Sequence, residues 1–440
     1  MRLPKPTSLP APPGPFRRAT WRSPLRGPWL TSVLGFMLLG ALTVIVITGF
    51  ASHAAYQPEL GANNLGRTPG VLDFYLFGWP TSPSWLYAVS QGLHVTVGVA
   101  ATPILLAKLW SVIPKLFEWP PVRSLAHGLE RLSLALLVGS ALFEFVTGIF
   151  NIQLYYAWKF SFLSAHYYGA WVFTAAFLFH LTIKLPVAFR AVRHRRLRDE
   201  LGIDLAHTRP ESEADARAAS GPTTEPSVTV PVSPAAATLS RRGLLGLVGG
   251  GSLLLLLTTA GQTVGGPFRR LALLAPHNRE TGPGPNGFQV NKSAKAAGIE
   301  LPATGPAWRL ELRAGGRTIM LSRAALLALP QRTHDLPIAC VEGWTTTQRW
   351  TGVRISELAA MVGAGEDATV LVESLQKGGS FRRATLGAAQ VRDDRSLLAL
   401  RVNGVDLALD HGFPARVIVP ALPGVHNTKW VKTMTFGAPA

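Results

Sequence analysis

"PIACVEGWTTTQRWTG", residues 337–352, carries the only cysteine in a chain of 440 residues. One thiol cannot close a disulfide within its own chain, so Cys340 is either a small buried hydrophobe or a reactive or metal-binding group. Its surroundings bear on the choice. Beyond residue 285, short apolar runs such as "ATVLVESL" (368–375) and "ARVIVPAL" (415–422) are broken by Gly, Pro and Asp. The pattern predicts a compact, β-rich α+β domain over residues 280–440.

Upstream of that domain the chain changes character. Mean hydropathy is positive and only 15% of residues are charged, which points to a membrane region. The formal charge of +18 does not indicate nucleic-acid binding, because the arginines flank apolar segments. Arg17, Arg18, Arg22 and Arg26 precede the first segment, and Arg190, Arg193, Arg195, Arg196 and Arg198 follow the fourth. Four stretches at about 29–51, 84–108, 124–150 and 161–186 are each near the ~20 residues that cross the hydrocarbon. A fifth, "GLLGLVGGGSLLLLLTTAG", runs from Gly243 to Gly261. Lys108, Lys115 and Arg123 place the second loop inside, while the loops near 52–83 and 151–160 are poor in Lys and Arg. The C-terminal domain is therefore expected outside the cytoplasmic membrane.

The expected organisation is a cytoplasmic tail (1–28), a four-helix membrane domain (29–190), a disordered cytoplasmic linker (191–240), a fifth helix (241–262) and the exported domain (280–440). Residues 205–240 are rich in Ala, Ser, Thr and Pro, the basis for the linker. "SRRGLL", with Arg241 and Arg242, resembles a twin-arginine export signal and equally suits a positive flank. No A-x-A cleavage site follows, so the segment is expected to remain as a helix.

Ionisable residues within spans default to functional hypotheses. His94 lies in span two, His127 at the start of span three, and His166 and His180 in span four, with His53 at the outer end of span one. The fourteen residues between His166 and His180 advance roughly 21 Å along a helix and return to within about 40° of one face. One helix can thus offer an iron ligand near each membrane surface. His94 or His53 can partner His166, and His127 can partner His180. The arrangement resembles bacterial di-haem cytochrome b subunits, which implies two b-type haems exchanging electrons with quinone or another inner donor. The chain has no histidine at the inner end of span one, so His127 takes that place.

Three ordered segments resemble the sulfite-oxidase-type molybdopterin domain, most nearly the branch of the periplasmic methionine sulfoxide reductase catalytic subunit. They are "NGFQVN" (286–291), "CVEGW" with "WTG" (340–344 and 350–352), and "RVNGVDLALDHGFPARVIVPALPGVHNTKWVKTM" (401–434). The resemblance implies that Cys340 is the catalytic molybdenum ligand. It implies pterin contacts at Asn286, Gln289, Val290, Ser374, His411, Arg416, Asn427, Thr428 and Lys429. A soft thiolate suits a metal already held by sulfur, and Arg416 and Lys429 can neutralise a phosphate.

The expectation is a membrane-bound molybdenum oxidoreductase that moves an oxygen atom to or from a small sulfoxide-like or sulfite-like molecule. Arg349, Arg354, Arg382 and Arg383 are candidates for holding an anionic substrate. Two rivals stand beside it. One is a sulfite-type dehydrogenase feeding electrons inward; the other is a membrane electron carrier whose outer domain only docks a partner.

Overall fold

A computed structural model describes residues 10–64, 77–220, 227–277 and 280–437. Part of the first expected outer loop (65–76) and the last three residues of the expected C-terminal domain lie outside them. Four long helices come first: α1 (Pro28–Ala55), α2 (Leu86–Leu116), α3 (Leu125–Ile152) and α4 (Phe162–His194). Two short helices follow, α5 (Leu197–Gly202) and α6 (Glu213–Ser220), and then α7 (Arg241–Val264). The long five are each apolar and long enough to cross a membrane. α2 and α4 run eight residues beyond the expected ends at 108 and 186. The α4 extension, VAFRAVRH, ends in basic residues that form helix well and favour a helix C-terminus, whereas the α2 extension, LWSVIPKL, is itself largely apolar.

The chain forms two compact units, Met1–Val46 with Val97–Phe150 and Trp158–Leu256, and Ile47–Thr96 with Asn151–Ala157 and Leu257–Ala440. The first unit is helical. Its core contains Trp29, Leu30, Leu34, Leu105, Phe173 and Val248.

The expectation of a disordered linker over 191–240 needs correction, since its described residues include α5 and α6. Composition alone suggested disorder, but acids spaced among the arginines give the segment partners. Arg195 donates to Glu200 at 2.7 Å and to Asp215 at 2.9 Å. Glu211 accepts from the Trp29 backbone N–H at 3.1 Å, and buried Arg241 lies 3.3 Å from Glu200. Arg241 thereby has a structural role of its own, whatever the SRRGLL motif signals.

The second unit is β-rich. Its first sheet contains β1 (Arg309–Ala314), β2 (Arg317–Ser322), β5 (Val370–Ser374), β6 (Arg383–Leu386) and β10 (Val431–Phe436), in the order β2-β1-β10-β5-β6. The second contains β3 (Arg332–Ala339), β4 (Thr345–Arg354), β7 (Leu397–Val402) and β8 (Val405–Asp406) in that order, with β9 (Arg416–Ile418) also paired to β7. Short helices α8 (Arg323–Ala328), α9 (Ile355–Met361) and α10 (Ala388–Arg392) cover them. β7, "LLALRV", is buried at all but one position, as a central strand covered on both faces requires. A bulge between Thr351 and Gly352 shifts β4 against β7, and there a side chain would run into the Leu398 carbonyl, so glycine fits. Trp350, Ile338, Leu397 and Ile418 pack around Cys340.

Candidate functional site

Cys340 sits between β3 and β4, buried, in a tight turn. Its N–H donates to the Trp344 carbonyl at 2.9 Å, and the Gly343 N–H donates back to the Cys340 carbonyl at 3.0 Å. Gly343 has φ +92°, and a side chain there would press on Val95 and Gln262. Glu342 is buried beside the thiol, accepting from Trp344 Nε1 at 3.1 Å and lying 2.7 Å from His277 Nδ1. Burial first, and the Glu342 charge second, push the Cys340 thiol well above its ordinary value. Without a nearby positive charge this sulfur holds its proton; a bound metal removes it outright.

A second cluster lies along the 286–292 and 408–430 segments. The Asn286 amide donates to the Asp406 carbonyl at 3.0 Å and accepts from the Ala408 N–H at 2.9 Å. His411 donates from Nε2 to the Asn286 carbonyl at 2.8 Å and stacks on Phe288, with centroids 3.7 Å apart. Buried Arg416 donates to the carbonyls of His411 and Asn427 at 3.1 and 3.2 Å and lies over the Trp350 ring. Lys429 Nζ donates to the Lys292 and Asp410 carbonyls at 2.5 and 2.9 Å, and Ser374 donates to the Lys429 carbonyl at 2.7 Å. Gln289 is buried and Val290 partly buried on the same segment as Asn286. Hydrogen bonds thus link Asn286, His411, Arg416 and Asn427, with Ser374 bonded to Lys429.

These cations are held by carbonyl groups. Burial lowers Arg416 to about 9, and burial followed by the Arg416 charge lowers Lys429 and His411 to about 7 and about 4. Arg416 Nε, Asn427 Nδ2 and Thr428 Oγ1 are buried without hydrogen-bond partners. Buried donors left open are costly, so the pocket fits an anionic, acceptor-rich group such as a pterin phosphate.

Residues 299–439 match the family model described as "oxidoreductase molybdopterin binding domain". This segment is a molybdopterin-binding oxidoreductase domain of the sulfite oxidase type. Mitochondrial sulfite oxidase of Mus musculus is 31% identical over 143 residues, covering 27% of this chain and 26% of that protein. The uncharacterized oxidoreductase YuiH of Bacillus subtilis is 30% identical over 119 residues, covering 27% of this chain and 59% of YuiH. The crystal structure of the sulfane dehydrogenase SoxCD from Paracoccus pantotrophus aligns at 24% identity and a TM-score of 0.28, over 31% of this chain and 39% of that one, too weak a superposition to add weight. The chain therefore spans about a quarter of the mouse enzyme, and the matches involve the C-terminal domain.

The domain's cofactor is molybdopterin, and its pocket has a pH signature. If Lys429 neutralises the cofactor's phosphate it must be protonated to do so, which costs little below about 7 and progressively more above it. Cofactor retention should therefore weaken from pH 7 to 9, by at most about tenfold per unit. Lys429→Gln should flatten this slope, as molybdenum content after dialysis would reveal; an unchanged slope would remove Lys429 from phosphate binding.

The histidines fall on the expected helices. His94 on α2 has Nδ1 at 3.5 Å from Thr48 Oγ1, and a side chain at Gly49 would strike its ring. His166 on α4 has Nδ1 at 3.0 Å from Thr147 Oγ1 and 3.1 Å from Glu144 Oε2, with Gly148 against its ring. Each ring thus has a hydroxyl near Nδ1 and a glycine of a neighbouring helix against it. His127 Nδ1 instead accepts from the Arg123 N–H at 3.3 Å, and His180 is partly buried on α4. Among the described residues no three His, Cys, Asp or Glu side chains converge on one ion, an arrangement that neither a pterin-held metal nor a two-histidine haem requires.

Several further neighbours surround the turn, and of these the sequence singles out only Glu342, which with Trp344 resembles the sulfoxide-reductase branch. Glu342 lies beside the thiol with His277 against its carboxylate, and buried His426 donates from Nε2 to the Tyr56 carbonyl at 3.1 Å while its Nδ1 has no partner. Tyr56 packs edge-on against Tyr87 and His426, and both phenol oxygens are buried. Tyr56 is raised chiefly by burial. His277, Tyr56 and Tyr87 come from distant segments outside the quoted motifs, whereas Glu342 lies within CVEGW and His426 within 401–434.

Proposed function

We propose that the protein is a membrane-bound molybdenum oxidoreductase that removes an oxygen atom from a small, neutral, oxo-bearing substrate of the sulfoxide class. A sulfoxide, two protons and two electrons give a sulfide and water. The cofactor, when bound, supplies two-electron oxygen-atom transfer. Cys340 holds the metal, Arg416 and Lys429 hold the cofactor's phosphate, and the Tyr56 and Tyr87 hydroxyls are donors for the substrate oxygen.

The observation that carries this reading is the charge around the thiol. Glu342 lies beside it, whereas Arg349 is tied to Asp335 at 3.1 Å and Arg354 to Glu357 and Asp394 at 2.9 and 2.6 Å. Arg382 donates to the Lys377 carbonyl. Arginines spent on carboxylates are poorly placed to collect a dianion. A sulfite-type dehydrogenase running in the opposite direction is the second reading, favoured by the sulfite oxidases among the relatives.

The helical region is read as a di-haem conduit in the cytoplasmic membrane, with His94 and His166 for the outer haem and His127 and His180 for the inner. Quinol or another donor reduces it from within, and the molybdenum domain lies outside. Support comes from the apolar exteriors of the long helices, including Leu106, Leu136, Leu178 and Leu253, and from the Lys/Arg distribution. Metal and haem analysis of the purified protein, followed by a screen of sulfoxides, N-oxides and sulfite in both redox directions, tests the proposal. Sulfite oxidation without sulfoxide reduction would replace it with the second reading.

A further inference from the structure

The turn that carries Cys340 is gripped by residues outside the matched segment, within the same compact unit. Its backbone carbonyls accept four hydrogen bonds from side chains N-terminal to the matched segment. Gln91 of α2 donates to Val341 at 2.6 Å, Gln262 of α7 to Glu342 at 3.1 Å, and Thr263 of α7 to Gly343 at 2.7 Å. Arg269 donates to Thr345 at 2.7 Å. Gly343 lies against Val95, and a side chain at Gly92 would strike Thr263, so α2 and α7 meet beneath the turn. Gln262 is buried, as are the Glu342 and Gly343 positions it approaches.

A surface loop does not need four such bonds for stability, because water satisfies exposed carbonyls at little cost. Here solvent is replaced by fixed donors, and they converge on the turn next to the metal ligand. Gln91 and Val95 bracket His94, which lies one residue from the Gly343 contact and three from the Val341 contact.

We propose that α2 is the electron port of the molybdenum centre: Gln91 and Val95 seat the Cys340 turn directly beside His94, while Gln262 and Thr263 of α7 hold it there. The inference rests on the reading of His94 as a haem ligand. These are positioning residues; none is placed in contact with substrate. With a haem held by His94 and the molybdenum cofactor bound at Cys340, this seating would offer a path for single electrons, two of which would be needed per oxygen atom transferred.

The test uses the full-length, cofactor-loaded protein. Haem content by pyridine haemochrome comes first; haem in wild type absent altogether would overturn the haem reading and this inference with it. With haem present, the protein is reduced through the haem, mixed with dimethyl sulfoxide, and followed for haem reoxidation, alongside turnover driven by a small dye donor. In Gln91→Leu and Thr263→Val the ratio of haem reoxidation to dye-driven turnover should fall about tenfold, the docked fraction lost with one buried hydrogen bond. Thr263→Ser, which keeps the donor, should restore it. The Mo(V) electron-paramagnetic signal should shift in the two disrupting variants and return in Thr263→Ser. An unchanged ratio in variants with wild-type haem and molybdenum content overturns the inference while leaving the haem reading intact. A variant that fails to load is replaced by Gln91→Asn, whose shorter side chain withdraws the donor and is expected to give the same fall.

Discussion

Cys340→Ser is expected to reduce substrate turnover by about 10³-fold or more, equivalent to about 4 kcal/mol of transition-state stabilisation. Serine nearly matches the thiol in volume, and the hydrogen bonds that form the turn, Cys340 N–H to Trp344 and Gly343 N–H to Cys340, are made by backbone. The packing of Ile338, Trp344 and Trp350 around the position should therefore persist. What changes is the donor atom. A hydroxyl is a hard, weak ligand that stays protonated, whereas a thiolate is soft and suits a metal held by sulfur. Molybdenum content should fall less than activity, because Arg416, Lys429 and the 286–290 segment still grip the cofactor. Haem absorbance should be unaltered, since no histidine ligand is touched. Wild-type turnover by the serine variant would reduce Cys340 to a core residue and remove the central premise of the site.

Much of this domain was legible because its motifs lie in continuous stretches. Asn286, His411, Arg416 and Lys429 occur within two quoted segments, and the fold brings those segments together through bonds such as His411 to the Asn286 carbonyl. The five long helices were legible for a similar reason, since a run of apolar residues announces itself locally. Less legible was whatever depends on distant pairing. Glu200, Glu211 and Asp215 give order to a segment whose composition suggested none, because composition does not reveal which arginine each acid meets. The grip on the Cys340 turn depends on Gln91, Gln262 and Thr263, ordinary polar residues near helix ends. Glu144 was likewise passed over, and its role is apparent only from its 3.1 Å approach to His166.

On the di-haem reading, His166→Ala is expected to remove one haem and His180→Ala the other. The two residues are fourteen apart on one continuous helix, Phe162–His194, so roughly 21 Å of rise separates them. Two axial nitrogens lie only about 4 Å apart across a single metal ion, so these two cannot serve the same iron. His166 has the better-built surroundings: Thr147 and Glu144 fix Nδ1, and Gly148 leaves space at the ring. Second-neighbour bonds of this kind set ring orientation and ligand basicity. Glu144→Gln should therefore keep the haem but shift its reduction potential, whereas His166→Ala should lose it. In His166→Ala, electrons from an inner donor should still reach the remaining haem but no longer reach the external domain, while a dye added outside should continue to drive turnover. His180→Ala should show the complementary pattern, with the outer haem retained and inner reduction lost. Pyridine haemochrome counts and molybdenum content decide the matter together. Two haems remaining in either variant would show that the ligand assignment on α4 is wrong, whereas a wild-type count of one would leave His94 with His166 as the haem site and return His127 and His180 to helix packing.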